Sequence, residues 1–205
     1  MLAGEKTAWE KLEAMDPQEI AERCDLEYWE EEDAFVLEVF KAPFVVDIQQ
    51  RQVREIGPHH HFHAGDSTHF SLIAPLYVAS CRDVIPSGRL IAPQSVPGGQ
   101  AFFKGPHELP LEVLAHHFGS NPDNFLRAGK ELQAEKVEQG DAAVRVPTLP
   151  RMPVTIILWV GDLEFPARCQ MLIDDTAPEH FPVDAIWATL ILTAEAMIQV
   201  AGPHH

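Results

Sequence analysis

The chain has 205 residues, 46% of them hydrophobic, and a formal net charge of −16. That length supports one substantial core, or one domain with an arm, and the apolar share excludes wholesale disorder. The charge argues against nucleic acid and anionic membrane surfaces as partners, because phosphate binding needs a basic face that releases counterions.

No run approaches the roughly 18–20 uninterrupted apolar residues that span a bilayer. Met1 to Glu13 alternates charged and apolar residues and lacks the apolar run of a signal peptide, so a cytoplasmic location is expected. Cys24, Cys81 and Cys169 are odd in number, far apart and without a CxxC pair. They predict buried thiols, with neither a disulfide framework nor a self-contained iron–sulfur or zinc–thiolate site.

Residues 5–15 place Ala8, Trp9, Leu12 and Met15 at helical spacing. Asp16-Pro17 predicts an N-cap and first helical position for a short helix that fades near Cys24, with Ile20 and Ala21 inward. The period then changes. Residues 34–40 and 44–48 are rich in β-branched and aromatic side chains, Lys41-Ala42-Pro43 lies between them as a turn, and 52–56 adds a third strand. An antiparallel meander is expected.

A histidine-rich loop occupies 57–65. Asp66 or Ser67 caps a predicted helix over 68–81, which Pro75 should kink or split. The Pro/Gly-rich stretch 84–109 predicts ordered loop with short strands at 89–92 and 101–104. Helices are expected from Pro110 to Gly119 and over 122–136, then a strand over 142–146. Val154 to Val160 is a near-continuous apolar run, suited to a strand buried on both faces, and Ala167 to Ile173 returns beside it. The chain closes on a periodic helix over 183–200. Strands and helices do not alternate strictly, so the fold class is α+β: an antiparallel or mixed sheet packed with helices, ending in a long amphipathic helix. A single domain over 1–205 is expected, with residues 1–24 as a helical segment packed on it.

The sharpest chemical feature is His59-His60-His61-Phe62-His63, with His69 six residues on. Neutral imidazoles suit zinc, iron, copper, nickel or haem. In an extended segment His59, His61 and His63 share a face, because strand side chains alternate. Asp66 or His69 then supplies a fourth ligand. The competing reading is a polar loop with no resident ligand. In the helix after Pro110, His116 is expected in solvent and His117 at the border of the buried face. Asp162, Glu164, Asp174, Asp175, Glu179 and His180 form an acidic cluster about the second hairpin strand. Acid–base chemistry is open to it, as is plain turn capping. Gly98-Gly99 with Phe102-Phe103 reads as a pocket edge or a hairpin turn. Trp159 and Trp187 read as core.

Gly140-Asp141-Ala142-Ala143-Val144, Leu149-Pro150-Arg151-Met152-Pro153-Val154 and Leu158-Trp159-Val160-Gly161-Asp162-Leu163-Glu164-Phe165-Pro166 carry a resemblance, continued by Asp174 and Thr176-Ala177-Pro178. Upstream, Ser87-Gly88-Arg89 and the stretch from Pro97-Gly98-Gly99 to Phe103 are similar too. On these residues the chain resembles domain of unknown function 3786, a family of anaerobic bacteria and archaea, over about 70–201 and more loosely over 5–50. Members joined to a cysteine-rich module are labelled iron–sulfur proteins. This chain has only the three scattered cysteines, so that label is not carried over. The family implies fold and cytoplasmic context, with no activity to transfer.

Three functions follow as expectations. The first is a non-enzymatic protein that binds a transition metal, or a metal-containing cofactor such as haem or a corrinoid, through His59, His61, His63 and His69. The second is a metal-dependent enzyme using the same histidines, with Asp66, Asp162 or Asp174 as base. The third is a cofactor-free module whose acidic surface docks a basic protein partner.

Overall fold

A computed structural model describes residues 3–57, 62 and 67–202. The first helix, α1 (Ala3–Glu13), buries Ala8, Trp9 and Leu12. Asp16 caps α2 (Pro17–Cys24), its Oδ1 accepting the Gln18 N–H at 2.9 Å. Asp25 closes α2 in the left-handed region, a conformation short polar side chains tolerate.

A four-stranded antiparallel meander follows: β1 (Glu27–Trp29), β2 (Ala34–Val39), β3 (Ala42–Asp47) and β4 (Gln52–Glu55). Three of these strands match the alternation of the sequence. β1 was not expected; it is short and polar and is held by pairing Glu27–Trp29 against Ala34–Val36. The β2–β3 turn is Phe40-Lys41, not Lys41-Ala42-Pro43. Both turn residues have positive φ, 53° and 58°, the geometry that matches the twist of a tight hairpin.

Helix α3 (Thr68–Ser80) packs between α1 and the last helix, α8 (Val183–Ala201). Pro75 lies inside α3 without splitting it. Proline removes one backbone hydrogen bond there. Burial of Phe70, Ile73, Ala74, Tyr77 and Val78 offsets that loss.

The second sheet has five antiparallel strands in the order β5-β9-β8-β7-β6: β5 (Leu90–Ile91), β6 (Glu135–Val137), β7 (Ala142–Leu149), β8 (Met152–Trp159) and β9 (Arg168–Asp174). The strand expected at 101–104 is instead a helical turn, α4 (Gly99–Phe102). Gly98 enters it at φ 78°, and a Cβ on Gly99 would sit 2.6 Å from the Pro93 carbonyl oxygen. Backbone crowding overrides the aromatic β preference of Phe102-Phe103. Helices α5 (Leu111–Phe118) and α6 (Pro122–Glu131) pack on this sheet. A short helix, α7 (Ala177–His180), precedes α8. α8 is long and apolar enough to cross a membrane, and most of it is wrapped by protein.

α8 docks through a buried polar contact. Thr193 donates its hydroxyl proton to the Thr189 carbonyl at 2.7 Å. The hydrogen bond between Thr148 and Thr193, 2.8 Å long, is therefore donated by Thr148. Both threonines are fully buried. Thr193→Val keeps the shape and orphans the Thr148 hydroxyl, so urea unfolding should show a loss of about 1–3 kcal/mol. Adding Thr148→Val should recover part of it, because no buried hydroxyl is then left without a partner.

Candidate functional site

His59, His61, His63 and Asp66 lie outside the described residues; His69 lies within them. It is the second residue of α3, and its Nδ1 is 3.3 Å from Glu195 Oε1 on α8. Ser67, at the N-cap position, makes no side-chain cap bond; its hydroxyl donates to Glu195 Oε2 at 2.8 Å. One carboxylate thus pins the start of α3 to α8. Phe62, in the middle of the histidine run, is buried edge-on to Phe40, with ring centroids 5.1 Å apart.

His69 opens onto a largely apolar groove, about 630 Å³ in volume and open to solvent. Its floor comes from α1 and α3, through Ala8, Leu72 and Leu76, and its far wall from α8. Trp187, expected as core, is half-buried and forms that wall. The His69 imidazole meets the indole edge-to-face at 5.5 Å between centroids, and the His107 imidazole does so at 5.3 Å. His107 in turn stacks on Phe102 at 4.2 Å and 19°. Two imidazoles therefore converge on one indole in an apolar cleft. Lys11 supplies a cation at the edge, held to Ser80 by a 2.9 Å hydrogen bond. The Trp187 Nε1 is buried with no hydrogen-bond partner among the described residues. Volume, aromatic lining and few polar groups are what small-molecule sites share.

His107 was not named from the sequence. It sits in a 3-10 turn, Gly105–His107, whose sequence carries no periodicity. His116 and His117 stand as expected, the first exposed and the second half-buried on α5. Among the described residues no group of three or more His, Cys, Asp or Glu side chains is placed to hold a metal.

Two of the carboxylates expected near the hairpin, Asp162 and Asp174, cap backbone, whereas Asp175 accepts from the Ser87 hydroxyl and the Arg89 guanidinium. Asp162 Oδ1 accepts the N–H groups of Phe165 and Glu164 at 2.7 and 2.8 Å, and these bonds hold its carboxyl below the usual range. Asp174 is buried. It accepts from Ser87 N (2.9 Å), Gly88 N (2.7 Å), Thr176 N (3.1 Å) and the Thr176 hydroxyl (2.7 Å). Burial alone would raise its pKa; the four hydrogen bonds outweigh burial and lower it. A carboxylate so committed is a poor base.

The family model of the Domain of unknown function (DUF3786) matches residues 16–196, and the chain belongs to that family. No curated protein and no solved structure matches it. The sequence signature maps onto the caps just described. Ser87-Gly88 and Thr176 meet at Asp174, Gly161–Pro166 is the Asp162 turn, and Asp141 caps Val160 N at 2.8 Å.

Asp174→Asn should destabilise the protein by about 1.5–3 kcal/mol at pH 7, where the charged acceptor is lost. The native carboxylate has a depressed folded pKa, so its contribution is complete above the ordinary carboxylate range and fades as pH falls through the folded value. The gap between wild type and Asp174→Asn in urea midpoint should therefore begin to narrow as pH falls below about 5 and go on narrowing below the ordinary carboxylate range.

Proposed function

We propose that the protein is a non-enzymatic binding protein that holds a planar, metal-containing cofactor, haem- or corrinoid-like, in the groove between α1, α3 and α8. One observation carries this reading: His69 and His107 converge on Trp187 in an apolar cleft of about 630 Å³. Ala8, Leu72 and Leu76 would hold the apolar face of a macrocycle, and an imidazole would supply a nitrogen donor to its metal. His59, His61 and His63, within ten residues of His69 in the chain, are the candidate second donors. The proposal includes a cytoplasmic setting without nucleic acid or membrane partners, on the strength of the net charge of −16. It is preferred to the metal-dependent enzyme because Asp162 and Asp174 are spent on backbone caps.

The test is a titration of untagged protein with haemin and, separately, with cobinamide, read by absorption and by tryptophan fluorescence. Saturable one-to-one binding of one of them, quenched by Trp187 proximity, is expected. His69→Ala or His107→Ala should weaken it about tenfold or more, on the order of 1.4 kcal/mol. Two results would reject the reading: no saturable change with either probe, or undiminished binding by the doubly substituted protein.

The interaction module has an observation of its own. Leu163 is fully exposed and Phe165 is 68% exposed, interleaved with Asp162 and Glu164 at the tip of the β8–β9 connection. Apolar and acidic side chains alternating on one tip suit a basic, partly apolar protein surface. Leu163→Ser with Phe165→Ser should leave thermal stability within about 0.5 kcal/mol and leave cofactor titrations unchanged. It should abolish pull-down of such a partner if that is what the tip binds.

A further inference from the structure

The three cysteines do not share one environment. Cys169 lies on β9, and burial pushes its thiol up to about 12. Cys24 and Cys81 form a pair. Cys24 ends α2 and Cys81 caps α3. Cys24 Sγ is 3.5 Å from the Cys81 carbonyl oxygen and 3.6 Å from that of Val78, so its thiol lies against the backbone of Cys81.

The Arg151 cation is laid across the pair, and Arg23 also acts on Cys24. Arg151 Nη1 donates to the carbonyl of Arg23 at 2.8 Å and to that of Arg82, the residues just before one cysteine and just after the other. The same nitrogen is 3.9 Å from Cys81 Sγ. Its partner nitrogen reaches Asp83 at 3.2 Å. His180, on α7, is buried and accepts the Arg82 N–H on Nδ1 at 3.2 Å. Its neutral form therefore carries the proton on Nε2. That atom has no hydrogen-bond partner among the described residues, and the imidazole helps to hold the Cys81 thiol below its ordinary range. Tyr77, whose hydroxyl accepts the Arg151 N–H at 3.2 Å, completes the surround.

The consequence is asymmetric. Interaction with Cys24 chiefly, then with His180 and Tyr77, holds the Cys81 thiol below its ordinary range against the effect of burial. Cys24 is pushed up by the same contact and by burial. Cys81 is the sulfur beside the Arg151 cation, whereas Cys24 donates to two carbonyls, the arrangement of a nucleophilic and a resolving cysteine. Both are buried, but Arg82 and Asp83, next in the chain, are exposed. A small oxidant needs only a local opening at the end of α3.

We propose that Cys81 and Cys24 are a redox pair, oxidised by a hydroperoxide to a Cys24–Cys81 disulfide. The Cys81 thiolate attacks one peroxide oxygen. The S–O bond forms, the O–O bond breaks, and the leaving hydroxide takes a proton from solvent as water, giving Cys81 sulfenic acid. Cys24 sulfur then attacks Cys81 sulfur; the S–S bond forms, the S–O bond breaks, and the Cys24 proton leaves with the oxygen as a second water. The two sulfurs lose two electrons in total and the peroxide gains them. A dithiol returns the pair to the reduced state.

The test uses the full chain, reduced, native and exposed to hydrogen peroxide, then alkylated and mapped by mass spectrometry. Two of the three thiols should be lost, with a Cys24–Cys81 cross-linked peptide that dithiothreitol reverses. Cys169 serves as the internal clock for unfolding, and Cys81 should react at least about tenfold faster. Cys24→Ser should accumulate a Cys81 sulfenic acid that dimedone traps, while in Cys81→Ser the Cys24 thiol should oxidise no faster than Cys169. Equal rates at Cys81 and Cys169, or a cross-link seen only after denaturation, would overturn the proposal.

Discussion

Thr148 is the point at which three layers of the molecule are joined. Its carbonyl accepts the Phe40 N–H at 3.3 Å, tying the turn of the four-stranded sheet to the five-stranded one. Its hydroxyl donates to Thr193 and so fixes α8. Both bonds depend on an irregularity. The β7–β8 register shifts between Val146 and Leu149, and Pro147 between them has no N–H to offer the ladder. The bulge turns Thr148 out of strict pairing and frees both of its polar groups for other elements. In a dry interior such groups must be paired, so the register of β7, the depth of the first sheet and the rotation of α8 are set together. Trp187 and Glu195 then come to the start of α3 as a consequence of where α8 lies.

The same helix links the two chemical sites. The N-terminal end of α3 carries His69, facing the groove, and its C-terminal end leads into Cys81, facing Arg151 and His180. The groove is apolar and aromatic, with polar atoms few and converging. The thiol site is the reverse, a knot of cation, imidazole, phenol and sulfur that closes off the ends of α2 and α3. Arg151 belongs to the sequence stretch that carries the family resemblance. Its hydrogen bonds to two carbonyls give that residue a structural role whether or not the sulfurs are oxidised.

Strong periodicity was readable. The β8–β9 hairpin, α8, the Asp16-Pro17 helix start and three strands of the meander stand where local pattern puts them, because burial imposes a period on sequence. β1 and α4 were hidden, one by polarity and the other by aromatic residues that favour strands until Gly98 and Gly99 dictate the backbone. The groove was half legible: His69 drew notice through the histidine run, whereas His107 and Trp187 meet it only in three dimensions. The Cys24–Cys81 pair lay beyond reach. The two residues are 57 positions apart, and the arginine that unites them comes from a third segment.

The Phe40-Lys41 turn has a further bearing on the histidine run. Two residues with Cβ atoms stand in the left-handed region where glycine or asparagine is usual, at a cost on the order of 1 kcal/mol each. The turn is kept there by the seat of the Phe40 ring and by the bond to Thr148, not by its own chemistry. The ring on which Phe62 rests is therefore spring-loaded. His61 and His63 are the covalent neighbours of Phe62. Strain held in one hairpin turn thus bears on Phe62 through its contact with Phe40, while Phe70 braces the same ring from α3.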